Sequence, residues 1–260
     1  MNIFKTYGKK QLLTIIAAML IMSAVFMTAF NGAAVSAITP QRKLPVYAVE
    51  RSESDKTISI SFDAAWGNED TQTLIDILGR YNIKATFFVV GQWVDKYPES
   101  VLALHKAGHE IMNHSSTHPH MSKLTAEQQA SEIETCNSKI EAITGIRPTL
   151  LRAPYGEYND TLIDTLTGLN MYCIQWDVDS LDWKDPTPQQ ICDRVCRNVR
   201  PGSIVLFHNA AVNTPAALPQ IIENLIAQGY SFVPISQNIY YKGYTIDHEG
   251  RQWQVSESDV

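Results

Sequence analysis

The sequence predicts a parallel α/β fold, either a barrel or a doubly wound sheet, from three observations. Short apolar runs alternate with amphipathic stretches through most of the 260 residues, the amphipathic stretches carry helix start and stop signals, and polar residues collect where the apolar runs end. Composition agrees: 45% hydrophobic and 18% charged residues describe a globular chain large enough for one main core.

The first 37 residues differ in kind. Lys5, Lys9 and Lys10 precede an uncharged run from Leu12 to Phe30, and small residues ending in Val35-Ser36-Ala37 follow. Charged start, apolar middle and small-residue exit describe an export signal. A run of this length also just spans a bilayer, so residues 1–37 are expected to be a signal peptide or an N-terminal membrane anchor, with the rest exported and extracytoplasmic. Without those lysines the remainder is more acidic than the net −6 of the whole chain. That argues against nucleic acid as a partner.

Residues 38–55 read as an extended segment, with Val46-Tyr47-Ala48-Val49 as an edge strand. Strands are expected at Thr57–Phe62, Ala85–Val90, Glu110–Met112, Thr149–Arg152, Met171–Trp176, Ser203–His208 and Phe232–Val233, within a body covering 56–236. Thr125-Ala126-Glu127-Gln128 is a capping-box pattern that starts a helix running to Thr144, with Gly145 as its stop. Thr214-Pro215 starts another, with Gly229 beyond its end. Asp70 is the expected N-cap of a helix from Gln72 to Tyr81. The four cysteines, Cys136, Cys173, Cys192 and Cys196, read as small buried hydrophobes with free thiols, because a chain this long needs no staples. The tail 237–260 is polar and aromatic.

In parallel α/β folds, function collects at the C-terminal ends of strands. Here Asp63 follows the strand ending at Phe62, His114 follows Met112, Arg152 to Tyr155 follow Leu151, Asp177 to Trp183 follow Trp176, and His208 ends Ile204-Val205-Leu206-Phe207. Each has an ordinary structural explanation alone; five sets at five strand exits do not. His114 and His118 are four residues apart, so one helical turn would bring both imidazoles to the same side, at the spacing a divalent metal takes from two nitrogen ligands.

Ser61-Phe62-Asp63, His114-Ser115-Ser116-Thr117-His118, Arg152-Ala153-Pro154-Tyr155-Gly156, Asp179-Ser180-Leu181-Asp182-Trp183 and Leu206-Phe207-His208 resemble, in order, the five motifs of the polysaccharide deacetylase family, the NodB-like glycan de-N-acetylases. The resemblance covers roughly Lys56 to Ser236. It implies a distorted (β/α) barrel, a divalent metal such as zinc or cobalt held by His114 and His118, and removal of N-acetyl groups from amino sugars, here those of cell-wall or spore-wall glycan. It also implies roles: Asp63 as general base, Arg152 against it, the N–H of Tyr155 as oxyanion donor, His208 as general acid and Asp179 as the carboxylate beside that acid. Pro154, Trp183, Trp66 and Leu206 are the expected substrate-binding residues.

One position departs from the pattern. Where the family's first motif has a second aspartate as third metal ligand, this chain has Ala64, and a methyl group binds no metal. His120 and Asp70 are the residues near enough in sequence to substitute. Two function classes follow: a wall-glycan deacetylase, or a glycan-binding wall protein that has lost turnover with the third ligand.

Overall fold

A computed structural model describes residues 8–30 and 42–255. The chain divides into two units, Met1–Arg42 and Lys43–Val260. In the first, Lys9–Phe30 is a helix. Among the described residues no helix is long and apolar enough to cross a membrane. Lys5 and Val35-Ser36-Ala37, on which the expected export signal also rests, lie outside the described residues.

The second unit is built on parallel strands. In chain order they are β1 (Ala48–Val49), β2 (Thr57–Ala64), β3 (Thr86–Val89), β4 (Glu110–Asn113), β5 (Leu150–Leu151), β6 (Tyr172–Cys173), β7 (Val178–Asp179), β8 (Ile204–His208) and β9 (Ser231–Phe232), followed by β10 (Tyr244–Ile246) and β11 (Arg251–Gln254). The main sheet runs β6-β5-β4-β3-β2-β8-β7, with β9 beside the start of β2. Among the described residues no ladder joins β6 to β7, so the sheet curls into a half-barrel. The β1 segment lies in that gap: Val46 bridges Ile174 in parallel and Ala48 bridges Ser203 in antiparallel fashion.

Strand alternation sorts β2 into two faces. Ile58, Ile60, Phe62 and Ala64 belong to the large apolar cluster shared with the helices, including Leu74, Leu104, Ile140 and Leu218. Phe62 stacks on Phe87 and Phe207 at 4.7 and 5.6 Å between ring centroids. Ser59, Ser61 and Asp63 take the other face, the barrel interior, where Phe88, Met112, Leu150, Ile174 and Ile204 form a second cluster with Val46 and Val49. A β2 of this pattern is buried on both sides, as a central parallel strand is.

The helices begin and end as their sequences direct. Thr125 Oγ1 accepts from Gln128 N–H while Gln128 Oε1 accepts from Thr125 N–H, and Gly145 closes the helix Ala126–Thr144 at φ 71°. The helix Thr214–Ala227 starts where Thr214-Pro215 predicts. Asp70 does precede the helix Thr71–Arg80, but its side chain makes no cap bond; it accepts instead from the Ala210 N–H at 2.9 Å. The four cysteines are free, with the Cys192 and Cys196 sulfurs 3.9 Å apart on one helix face.

The tail forms structure that its composition did not announce. β11 pairs with β10 in antiparallel fashion and with β1 in parallel, so the two ends of this unit share a three-stranded sheet. Arg251 fastens it: its Nη1 donates to the Val49 carbonyl at 2.8 Å, and its Nη2 lies 3.7 Å from Asp177. Asp177 in turn accepts from Ser203 Oγ and Ile204 N–H, both at 2.8 Å, at the N-terminal end of β8. Close approach is possible there because residue 202 is glycine; a Cβ on Gly202 would stand 1.7 Å from the Val49 oxygen.

Candidate active site

At the other end of β8 the strands open on a cleft of about 410 Å³ lined by Asp63, Ala65, Trp66, His114, His118, Tyr155, Gly156, Trp176, Asp179, Trp183, Leu206 and His208. The parallel register of β2 and β8 sets Asp63 directly beside His208, one strand spacing or about 4.8 Å apart along the backbone.

Two ion pairs define its floor. Arg152, wholly buried, donates from Nη1 to Asp63 Oδ1 at 2.8 Å and from Nη2 to the Gln175 carbonyl at 3.1 Å. Its guanidinium lies 4.2 Å from the Phe88 ring centroid and 5.5 Å from that of Trp176. Burial pushes the Asp63 carboxyl up, but the Arg152 charge, with His114 and His208, outweighs it and holds the group below its usual 3.8. The second pair is His208 with Asp182: Nδ1 to Oδ1 at 2.7 Å, and the His208 main-chain N–H to Oδ2 at 2.8 Å. Here burial lowers the imidazole, and the hydrogen bond and charge of Asp182 outweigh it, so His208 stands above its usual 6.5.

His114 and His118 face the same cleft by a different route from the one expected. The run after β4 is not a helical turn: Ser115 and His118 both have positive φ, 65° and 60°, and His118 N–H donates to Ser115 Oγ. The rings nonetheless sit edge to face with centroids 5.0 Å apart. Burial lowers both imidazoles from the usual 6.5, His118 to about 4. His114 Nδ1 lies 2.7 Å from the Arg152 carbonyl oxygen, which can only accept, so the hydrogen is on Nδ1. Its Nε2 then carries the lone pair and lies 3.6 Å from Asp63 Oδ2. Two imidazoles that burial disfavours as cations thus fit as ligands of a divalent metal. A third protein ligand does not join them: among the described residues no group of three or more His, Cys, Asp or Glu is placed to hold a metal ion. Ala64 is turned into the apolar cluster, His120 Nδ1 is bonded to Glu157 at 2.8 Å, and Asp70 is engaged with Ala210.

The structure corrects several expectations. Asp182, not Asp179, is the carboxylate against His208. Asp179 lines the cleft and accepts from the Leu181 N–H at 2.8 Å. Pro154 is buried and does not line the cleft; it opens the short turn that carries Tyr155 at φ 60°. Tyr155 is exposed at the rim, stacked on His120 and edge-on to His118. Trp183 and Trp66 are also rim residues, 55% and 62% exposed, so neither is core packing, and Leu206 lies in the wall as expected.

Asn209 has no counterpart in the sequence reading. It follows His208 and receives the Ala65 N–H on Oδ1 at 3.2 Å, while Nδ2 donates to the carbonyls of Trp66 and Gly67. With Trp93 Nε1 donating to the same Gly67 oxygen, it holds the turn that projects Trp66 over His118. An Asn next to the motif histidine is the only sequence signal for it.

Fold and site together define a parallel α/β half-barrel in which a carboxylate–guanidinium pair and a carboxylate–imidazole pair share one cleft. The chain belongs to the polysaccharide deacetylase family: the family model of that description matches residues 50–174. It is 38% identical over 184 residues to a Bacillus subtilis peptidoglycan-N-acetylmuramic acid deacetylase, PdaC, covering 71% of this chain and 39% of that protein. It is 31% identical over 193 residues to a Bacillus cereus peptidoglycan-N-acetylglucosamine deacetylase, covering 73% and 70%. Among solved structures, a CE4 family pseudoenzyme from Bacillus anthracis superposes with a TM-score of 0.72 at 33% identity, covering 76% of this chain and 69% of that one. The chain thus spans well under half the length of PdaC.

Proposed function

We propose that this chain hydrolyses the acetamido bond of N-acetylated amino sugars in wall glycan, releasing acetate and leaving a free amine. The observation that carries the reading is the adjacency of two buried pairs on neighbouring strands, Asp63 bonded to Arg152 and His208 bonded to Asp182, the one favouring an ionised base and the other a protonated acid.

An amide resists water because its carbonyl is weakly electrophilic and its nitrogen is a poor leaving group. Asp63 takes a proton from the attacking water as the new C–O bond forms. Negative charge then gathers on the former carbonyl oxygen, where the Tyr155 N–H, set by a strained turn after Pro154, is the main-chain donor we assign to it. His208 gives its proton to the departing nitrogen as the C–N bond breaks. Trp66, Trp183 and Tyr155, exposed around the mouth, offer flat apolar faces to sugar rings. His114 and His118 would hold a divalent metal, zinc or cobalt, whose contribution when bound is to polarise the acetyl carbonyl and acidify water. The charged, apolar and small-residue order of residues 1–37 supports export of the enzyme to the wall, as a cleaved signal or an anchor.

A second reading, a glycan-binding protein without turnover, draws on Ala64 and on the likeness to a pseudoenzyme. Acetate release from N-acetylated peptidoglycan by the full chain, with and without added zinc or cobalt and beside Asp63→Asn, separates the two. Metal-stimulated release that the variant loses is expected. Retention on glycan with no acetate from the wild type would establish the second reading instead.

A further inference from the structure

The carboxylate that orients His208 is itself held from a direction that no motif covers. Asp182 is wholly buried, on a short turn that Leu181 enters with a left-handed φ of 55°. Its Oδ1 takes the His208 ring. Its Oδ2 takes two donors: the His208 main-chain N–H at 2.8 Å, and the hydroxyl of Thr214 at 2.7 Å. Thr214 is also wholly buried, and it is the first residue of the helix Thr214–Ala227, whose inner face is packed into the main apolar cluster through Ala217, Leu218, Ile221, Ile222 and Leu225.

The chemistry explains why a third donor matters. A carboxylate gripped only by groups of His208 is free to pivot with the residue it is meant to fix. The Thr214 hydroxyl ties it to a separate, rigid element, so the Asp182 plane is referenced to the helix and the imidazole is referenced to Asp182. Loss of the hydroxyl from a buried site also leaves one lone pair of a charged group without its partner.

We propose that Thr214 is a positioning residue for the general acid: through Asp182 it fixes the orientation of the His208 imidazole. It touches neither substrate nor the reacting atoms. For its kinetic consequence the inference rests on the deacetylase reading; for its structural consequence it does not.

The test compares the full-length wild type with Thr214→Val, which keeps shape and removes the hydroxyl, and with Thr214→Ser, which restores it. Two readouts are taken. Acetate release from N-acetylglucosamine oligomers is expected to fall about tenfold in kcat in Thr214→Val, with KM within about twofold, and to recover in Thr214→Ser. The downfield proton resonance of the His208 Nδ1–H, bonded to Asp182, is expected to broaden or vanish in Thr214→Val and to be retained in Thr214→Ser. A Thr214→Val protein that keeps both the wild-type kcat and the sharp resonance overturns the proposal, as does one whose only change is a lower unfolding midpoint. Should the wild type release no acetate, the deacetylase reading fails while the resonance still decides the role of Thr214.

Discussion

Replacing Arg152 with Met tests the base and its clamp at once. Methionine fills similar space over Phe88 and removes the charge, leaving Asp63 without its guanidinium partner in a buried site. At 2.8 Å and an effective dielectric of about 20, the pair attraction is about 6 kcal/mol. Desolvation of the two ions offsets much of that, and breaking one side of a buried pair costs about 3–5 kcal/mol. The direction with pH is distinctive. In the wild type the folded carboxyl lies below its unfolded value, so its stabilisation is complete above about pH 4 and is lost as pH falls through the folded pKa. In Arg152→Met the strongest influence opposing burial is gone, so the folded carboxyl rises above its unfolded value, and the variant regains stability as pH falls. Urea unfolding of both proteins at pH 7 and pH 5 should show a gap of about 3–5 kcal/mol that narrows at the lower pH. The acid limb of kcat/KM should move up by about 1–3 pH units. A gap unchanged between the two pH values, with an unmoved acid limb, would refute the assignment of Asp63 as a base held ionised by Arg152.

Other outcomes follow from the same geometry. Asp182→Asn removes the largest influence opposing burial at His208, so the basic limb of kcat should move to lower pH, whereas Asp179→Asn, which leaves the Asp182 bond intact, should shift it less. Asn209→Ala releases the turn under Trp66 and should raise KM several-fold with kcat within about twofold, read from initial rates on glycan oligomers. Gly202→Ala places a methyl on the Val49 oxygen at a φ of 80°, and thermal unfolding should show a loss of more than about 3 kcal/mol or no folded protein.

What could be read from sequence was what local pattern encodes. The strand from Thr57, the capping box at Thr125 and the stop at Gly145 each depend on neighbours within a few residues, and each formed as expected. Asp63, Arg152, His114, His118 and His208 meet because strand ends converge, a property of the topology that alternation announces. The choice between Asp179 and Asp182 was not legible: the two lie three residues apart in a segment with no period, and the left-handed Leu181 decides which carboxylate turns inward. The His114–His118 spacing suggested a helix, and the rings meet instead through two positive-φ residues that sequence gave no reason to expect. Ala64 stands in the sequence where the family's pattern has an aspartate. That it faces the apolar cluster while Ala65 faces the cleft follows from alternation along β2 only once the strand is known to run through residue 64. The pairing of β1 with β11 was invisible, because nothing near either strand names a partner at the far end of the chain.

That pairing has a consequence for how the two distant parts of the chain depend on each other. Arg251 and Val49 are 202 residues apart in sequence, so the segment that lies between β6 and β7 is held by a strand distant from it along the chain. Val46 and Val49 complete the apolar filling of the barrel interior, so that filling depends on a contact of long sequence separation, a kind that forms slowly. A cut in the chain ahead of β11 is therefore expected to loosen Val46 and Val49 as well as the tail, because one ladder holds both.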